Sequence, residues 1–201
     1  MEKQLSDKAE QTKSRITQAA KTLFIKKGYA AATLREIAQC ANVTTGAFYK
    51  YYRSKDEILV AIFNDRYNEQ WKLFCDLKDS FKLEDYIEMD AKMNKGLADA
   101  YGYELLKVYF TAQWSMEDQG SLWRILDVAE YAKYNQQLIS KLVKKYPTKF
   151  TAEEVEDIIL KADRGTFYDW ILKRGSYDIG EATKQMLTVV FRGIFPDRTE
   201  A

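Results

Sequence analysis

Small, hydroxyl-bearing and basic side chains cluster between residues 44 and 55, where they could contact the backbone or the bases of a nucleic acid. The residues concerned are Thr44, Thr45, Gly46, Ala47, Tyr49, Lys50, Tyr51 and Lys55. Threonine and tyrosine hydroxyls can donate to phosphate oxygens, and lysine can reach phosphates or the acceptor edge of guanine. Glycine and alanine add little bulk, so the backbone that carries them can approach a duplex closely. This chemistry requires an element that presents the cluster on an exposed face.

The surrounding sequence predicts two short helices joined by a tight turn. Thr33 forms a capping box with the glutamate three residues later, and the helix that follows has the apolar stripe Leu34, Ile37, Ala38 and Ala41. Asn42 tolerates the left-handed backbone that ends a helix. Thr44 is a candidate N-cap for a second helix that extends to about Tyr51. A helix, a tight turn and an exposed second helix, here over about residues 33–52, form the helix-turn-helix that enters the major groove of DNA.

Within the second helix, the apolar positions should face inward and the other positions should face the groove. We expect Val43, Phe48 and Tyr52 to pack in the core. Thr45 and Lys50 should then reach the edges of the bases, where lysine favours guanine.

Other residues of the cluster suit phosphate oxygens. Thr33 and Lys55 lie at helix starts, where free N–H groups and the positive end of the helix dipole favour anions. The expected phosphate contacts are Thr33, Thr44, Tyr49, Tyr51 and Lys55. Two alternatives stay open: Tyr51 could pack in the core, and Lys50 could be merely solvated.

Apolar, aromatic and polar positions extend the pattern on both sides of the helix-turn-helix: Arg15, Ile16, Ala19, Ala20, Leu23, Phe24, Gly28, Tyr29, Thr33, Ile37, Ala38, Val43, Phe48, Tyr49, Tyr52, Ser54, Lys55 and Leu59. With these residues the segment resembles the amino-terminal domain of the TetR (tetracycline-repressor-like) family of regulators. Asn42 stands where the family usually has glycine, and a left-handed cap accepts either. Ala47 replaces a frequent threonine, which removes one candidate phosphate contact. The resemblance implies an all-α fold, with a small helix-turn-helix domain and a larger helical domain for effector binding and dimerisation.

The distribution of charge agrees with a nucleic-acid partner for the first part of the chain. Residues 1–60 hold 11 Lys and Arg against 6 Asp and Glu, whereas residues 61–201 hold 20 against 24. Phosphate contacts supply most of the sequence-independent affinity for DNA. The basic excess therefore lies where the predicted helix-turn-helix needs it, although a basic solvated surface would show the same count.

Several function classes lack their signatures in this sequence. The chain has no histidine, which removes Ser–His and Cys–His nucleophile systems and the commonest metal ligand. It also has no glycine-rich phosphate-binding motif, no apolar run of the ~18 residues that span a bilayer, and no signal-peptide pattern. Cys40 and Cys75 should be free thiols in a reducing compartment. We therefore expect a cytoplasmic protein that is not an enzyme, carries no metal or cofactor and does not bind membranes.

Helical periodicity persists through the whole chain and predicts two domains. We place a DNA-binding domain at 10–70 and an effector-binding and dimerisation domain at 71–201. Glycines, prolines and capping residues delimit the predicted helices, which are 12–27, 54–77, 83–99, 103–115, 120–146, 151–174 and 178–195.

The last two helices are the predicted dimer interface, because in the resembling family these helices pair with their counterparts in a four-helix bundle. The expected interface residues are Ile158, Ile159, Ala162, Gly165, Met186, Val189, Val190 and Gly193. Gly165 and Gly193 lie inside helices, where glycine is tolerated if another backbone comes close. Two recognition helices related by a twofold axis would read a palindromic site. Ordinary core helices within one subunit are the alternative.

The central region is rich in aromatic residues and methionine, and in the resembling family this part holds a small-molecule pocket. The candidate pocket residues are Trp71, Phe74, Tyr86, Met89, Tyr109, Phe110, Trp114, Trp123, Tyr131, Phe167 and Trp170. Such side chains suit a flat or aliphatic ligand, but each of them could equally be an ordinary core residue. Acidic residues in the same stretch could favour a cationic ligand or could form a solvated helix face.

These features together predict a DNA-binding transcriptional regulator. By resemblance it is a repressor that leaves a palindromic operator when a small hydrophobic or amphipathic ligand binds. Its partners would be an operator duplex, a second copy of itself and an unknown effector. The helix that starts after Ser54 would transmit the effect of the ligand to the recognition helix. The alternative is a helical small-molecule-binding or interaction protein that has lost operator binding, and the intact Tyr49, Lys50 and Lys55 argue against it.

Overall fold

The computed structural model describes residues 2–72, 81–115 and 130–196, and within these ranges all regular structure is helical. The helices are α1 (Glu2–Lys27), α2 (Leu34–Cys40), α3 (Thr45–Phe48), α4 (Lys55–Lys72), α5 (Leu83–Ser115), α6 (Glu130–Lys145), α7 (Ala152–Leu172) and α8 (Ile179–Ile194). The prediction of an all-α fold is confirmed. The first helix is longer than predicted and already begins at Glu2. The element α5 contains two helices joined across a kink, where the backbone of Gly102 is non-helical (φ 68°, ψ 170°). This kink agrees with the two separate helices predicted at 83–99 and 103–115.

Helix boundaries follow the capping residues in the sequence. Thr33 and Thr151 form complete capping boxes at the starts of α2 and α7, and Asp178 caps α8 by accepting from the N–H groups of two residues. Gly28 ends α1 with a φ of 84°, and Asn42 ends the turn after α2 with a φ of 54°. The local sequence therefore determines where these helices start and stop.

Contacts divide the chain into two compact units. The first comprises residues 1–66 together with 104–118, and the second comprises 67–103 together with 119–201. The described part of α5 from residue 104 onward therefore belongs to the first unit. The division into domains at 10–70 and 71–201 stays a prediction.

The core of the first unit is built from α1, α2, α3 and the start of α4. Its fully buried side chains include Ile16, Phe48, Ile58, Leu59 and Phe63. The rings of Phe63 in α4 and Tyr109 in α5 stack with their centroids 4.0 Å apart. Through this contact the end of α5 packs in the core of the first unit. The hydroxyl groups of Thr17 and Tyr52 form a buried hydrogen bond of 2.7 Å. This bond gives the buried phenol of Tyr52 a partner. The Thr17 hydroxyl also donates to the carbonyl of Lys13 at 3.1 Å.

The second unit has its own apolar core, formed by α5, α6, α7 and α8. Its members include Tyr86, Met89, Ile139, Leu142, Val155, Ile159, Leu187 and Phe191. The hydroxyl of Tyr86 donates to Asn135 of α6 at 2.7 Å, so this buried phenol is also satisfied. No helix in the described ranges combines the length and the apolar character that a membrane crossing requires.

Candidate nucleic-acid interface

The recognition helix is shorter than predicted. The α-helix α3 covers only Thr45–Phe48, and its N-cap Thr44 accepts from the N–H of Ala47 at 3.1 Å. The next residues continue as a tight turn, in which Lys50 donates to the carbonyl of Ala47 and Tyr51 to that of Phe48. Such bonds between residues three apart are typical of the narrower coil at helix ends. The prediction of regular helix to about Tyr51 was wrong, although the chain keeps coiling through this position.

One side of this segment is buried and the other is open. Phe48 and Tyr52 are buried at 0% and 4% exposure, as expected for the inward positions. The exposed residues are Thr44, Thr45, Gly46, Tyr49 and Lys50, whereas Val43, Ala47 and Tyr51 are half-buried. The ring of Tyr49 is 53% exposed and stands edge-on to Phe48 at 5.5 Å between centroids. The predicted contact residues therefore form a surface of hydroxyls, small side chains and one lysine.

Thr33 uses its hydroxyl within the chain. The oxygen accepts from the N–H of Glu36 at 3.2 Å, and the hydroxyl hydrogen is donated to the Glu36 carboxylate at 2.7 Å. Lys27 also donates to this carboxylate at 2.6 Å. The hydrogen bond from Lys27 makes the largest contribution and those from Thr33 add to it, and together they lower the pKa of Glu36 to about 2. A phosphate at the start of α2 would therefore meet a charged carboxylate, and Thr33 must release Glu36 before it can donate to a phosphate.

The ammonium group of Lys55 is turned toward the protein. It donates to the carbonyls of Tyr29 and Ala32, and no signal in the sequence indicated these two partners. Arg35 and Arg53 are exposed on the same unit, and sequence reasoning did not single them out. The count of basic residues was the only signal that could have included them.

Four of the eight predicted dimer residues line an open groove between α7 and α8, namely Ala162, Gly165, Met186 and Val189. The groove is lined by Ala162, Gly165, Thr166, Asp169, Lys173, Tyr177, Asp178, Glu181, Ala182, Gln185, Met186 and Val189. Val189 is 67% exposed, and Cβ atoms added at Gly165 or Gly193 would meet nothing within 4 Å. Ile158, Met186 and Val190 are half-buried and pack partly against the core. The prediction of Ile159 as an interface residue was wrong, because its side chain is 1% exposed and belongs to the core of its own subunit.

The predicted pocket residues do not form one group. Tyr86 and Met89 are core residues of the second unit, and Phe167 and Trp170 are also buried there. The Trp170 indole N–H donates to the carbonyl of Tyr177 at 2.9 Å. Tyr109 and Phe110 belong to the first unit. The whole of Phe74 and Trp123 and the side chains of Trp71, Trp114 and Tyr131 lie outside the described residues.

In comparisons of sequence with known proteins, the matches fall on the helix-turn-helix region. The profile of bacterial regulatory proteins of the tetR family matches residues 16–62. The transcriptional regulator TtgR of Pseudomonas putida is 36% identical over 64 residues, which is 32% of this chain and 30% of TtgR. The alignment thus spans less than a third of the length of that relative.

Solved structures match over almost the whole chain. NalD of Pseudomonas aeruginosa, described as the secondary repressor of a multidrug efflux pump, has a TM-score of 0.60 at 20% identity, covering 96% of this chain and all of NalD. FadR of Thermus thermophilus, a TetR-family repressor solved with lauroyl-CoA, has a TM-score of 0.64 at 20% identity, covering 90% of this chain and 94% of FadR. These likenesses establish a shared fold. The profile match falls on the residues that fold here as a helix-turn-helix, so residues 16–62 are similar to the amino-terminal region of the tetR family of bacterial regulatory proteins.

Proposed function

We propose that this protein is a transcriptional regulator that binds a palindromic DNA operator as a homodimer and releases it when a small molecule binds. The observation that carries the proposal is the arrangement around α3. Phe48 and Tyr52 fix this segment in the core, and Thr45, Tyr49 and Lys50 are left exposed beside it. Such a short exposed helix has little structural purpose of its own, and its side chains match the donors that contact DNA.

A homodimer follows from the geometry of DNA reading. One recognition helix covers only part of one groove, whereas two related by a twofold axis read a palindrome. The α7–α8 groove supports this assembly, because it presents Val189 and Gly165 without covering them from within the subunit. Gly193 of α8 is likewise exposed. Glycines in exposed helix interiors reduce helix stability by about 1 kcal/mol relative to alanine, so a close-packed partner would explain their presence.

The effector is proposed to be a small hydrophobic or amphipathic molecule held by the second unit. FadR, with which this chain shares its fold, was solved with lauroyl-CoA. A ligand changes operator affinity only if it binds the DNA-competent and incompetent conformations differently. Because α4 begins directly after the recognition segment and extends to Lys72, a shift of α4 would change the spacing of the two recognition helices. The protein would act as a cytoplasmic repressor without a catalytic step.

Fluorescence anisotropy tests this proposal directly. The probe is a labelled duplex carrying the DNA upstream of the protein's own gene, and an unrelated duplex of the same length is the control. We expect tight binding to the first, weaker binding to the second, and release of the first by a member of a panel of hydrophobic and cationic compounds. Tryptophan fluorescence, recorded in the same titration, reports compound binding. Binding of a compound without binding of any duplex would instead identify a ligand-binding protein that has lost operator recognition.

A further inference from the structure

The loop between α1 and α2 is attached to the start of α4 by two adjacent side chains. Lys55 Nζ donates to the carbonyl oxygens of Tyr29 at 2.9 Å and Ala32 at 3.0 Å. The same ammonium lies 4.5 Å from the centroid of the Tyr29 ring, which is cation–π distance. The Tyr29 hydroxyl donates to Oδ1 of Asp56. The segment before the helix-turn-helix is therefore bound to the helix that follows it.

The partners of Lys55 are themselves fixed. Ala32 is 1% exposed, and the Tyr29 ring packs against Phe24 of α1 with the centroids 4.9 Å apart. Burial, and then the hydrogen bond to Asp56, raise the pKa of Tyr29 well above its usual value, so the phenol stays protonated and keeps donating. The Lys27–Glu36 ion pair connects α1 to α2 on the other side of the loop. Contacts to α4 therefore hold this loop, and an ion pair between its two flanking helices spans it.

The hydrogen bonds of the Lys55 ammonium group distinguish a lysine that contacts phosphate from one that holds the loop. A lysine that contacts phosphate keeps its donors for the duplex, and it adds to the release of counterions when DNA binds. Here two of the three donors of Lys55 are used on loop carbonyls. These carbonyls belong to a loop, so no helix bond replaces the lost donor if the lysine is removed.

We propose that Lys55 is a positioning residue for DNA binding, which sets α2 and α3 against α1 and α4 through Tyr29, Ala32 and Asp56. It acts from within the domain and does not act as a phosphate contact. This inference rests on the proposed operator binding, and it corrects the sequence-based expectation that Lys55 reaches a phosphate.

Salt dependence separates the two roles. The logarithm of the DNA association constant falls linearly with the logarithm of salt concentration, and the slope counts neutralised phosphates. Using the duplexes described above, we compare Lys55→Met and Tyr29→Phe with Lys50→Met, which removes an exposed cation. Lys55→Met should weaken binding about tenfold at every salt concentration with an unchanged slope. Tyr29→Phe should also weaken binding without changing the slope, because it alters no charge.

The control should behave differently. Lys50→Met should reduce the slope by up to about one, because it removes a cation from the exposed surface. A slope reduced by about one for Lys55→Met, with full affinity retained in Tyr29→Phe, would overturn the proposal.

Amide hydrogen exchange without DNA provides a second readout that does not depend on operator binding. Both Lys55→Met and Tyr29→Phe should speed exchange over residues 28–36, whereas Lys50→Met should leave it unchanged. Unchanged exchange in the first two variants would mean that the contacts do not hold the loop. If the wild-type protein binds no duplex, the proposed function fails, while the exchange data still decide whether Lys55 holds the loop.

Discussion

Asp90 of α5 and Asp163 of α7 are neighbouring carboxyl groups of the second unit, and each shifts the pKa of the other. Oδ2 of Asp90 is shielded from solvent and receives no hydrogen bond from an N–H or hydroxyl group. Asn94 donates to Asp163 at 3.3 Å and to the buried Thr183 hydroxyl at 3.1 Å. Two carboxylates cannot donate to each other, so the pair can form its hydrogen bond only when one of them holds a proton.

We expect the contribution of this pair to the stability of the second unit to fall as pH rises above about 4. Burial raises the pKa of Asp90 to about 6, and burial together with the neighbouring Asp90 raises the pKa of Asp163 well above its usual range. A raised carboxyl pKa means that the folded protein binds the proton more tightly than the unfolded chain does. Its stabilisation is complete below the unfolded pKa, and it is lost as pH rises through the folded value. Urea unfolding followed from pH 4 to pH 8 measures this loss.

The substitution Asp163→Asn is the control for the pH experiment. Its amide can donate to Asp90 without a titrating proton, so the pH dependence between pH 4 and pH 8 should become flatter than in the wild type. Glu36 and Asp178 have lowered pKa values and titrate in the opposite sense, but both variants share them. Identical slopes in the two proteins would show that the carboxyl pair holds no proton.

Local signals in the sequence predicted the fold well. Capping boxes, the left-handed Asn42 and the stripes of apolar residues depend on neighbours within one or two helical turns, and the structure has them where the sequence indicated. The recognition segment was predicted too long because nothing in residues 49–51 marks the change from α-helix to turn. Helical periodicity also predicted correctly that Phe48 and Tyr52 face the core.

Contacts between distant segments could not be predicted in the same way. Ile159 and Val189 fit the same helical pattern, yet one is buried in the subunit and the other is 67% exposed. The inward direction of Lys55 depends on carbonyls more than 20 residues earlier. The Asp90–Asp163 pair joins helices that are far apart in the chain. Such pairings depend on tertiary packing, which the local patterns of a single sequence do not reveal.

Replacing Lys50 should change which operators the protein prefers. Lys50 is exposed next to α3, and a lysine that reaches guanine contributes about 1–3 kcal/mol of discrimination against the wrong base. Lys50→Ala, tested on a library of operator variants, should therefore lose affinity unequally across sequences. Tyr49→Phe removes a predicted phosphate contact, so it should weaken all duplexes about equally. Uniform losses for Lys50→Ala would make Lys50 a backbone contact.

Gly180 should not tolerate a side chain. A Cβ there would lie 3.0 Å from Cβ of Lys95 and 3.1 Å from the carbonyl oxygen of Ala91, so α8 approaches α5 closely at this point. Gly180→Ala must move one helix, and overpacking of this kind costs about 1–3 kcal/mol. Gly46→Ala is the matched control, because its Cβ would meet nothing within 4 Å. Chemical denaturation should show a loss for the first variant alone, and equal stabilities would mean that the helices separate at no cost.

Introducing a charge at Val189 should separate the proposed dimer. Val189 is the most exposed large apolar side chain of α8, so within a single subunit Val189→Glu buries nothing and should leave folding intact. If a partner covers this position, the glutamate carries an unpaired charge into an apolar contact, at a cost of several kcal/mol. Analytical ultracentrifugation at micromolar concentration should then show a folded monomer. Ile25→Glu, a change at a 55% exposed residue of α1, should remain dimeric.

Because one monomer reads only one half-site, Val189→Glu should also lose the preference for palindromic over single half-site duplexes. A dimer that survives Val189→Glu with its palindrome preference unchanged would place the interface away from the α7–α8 groove.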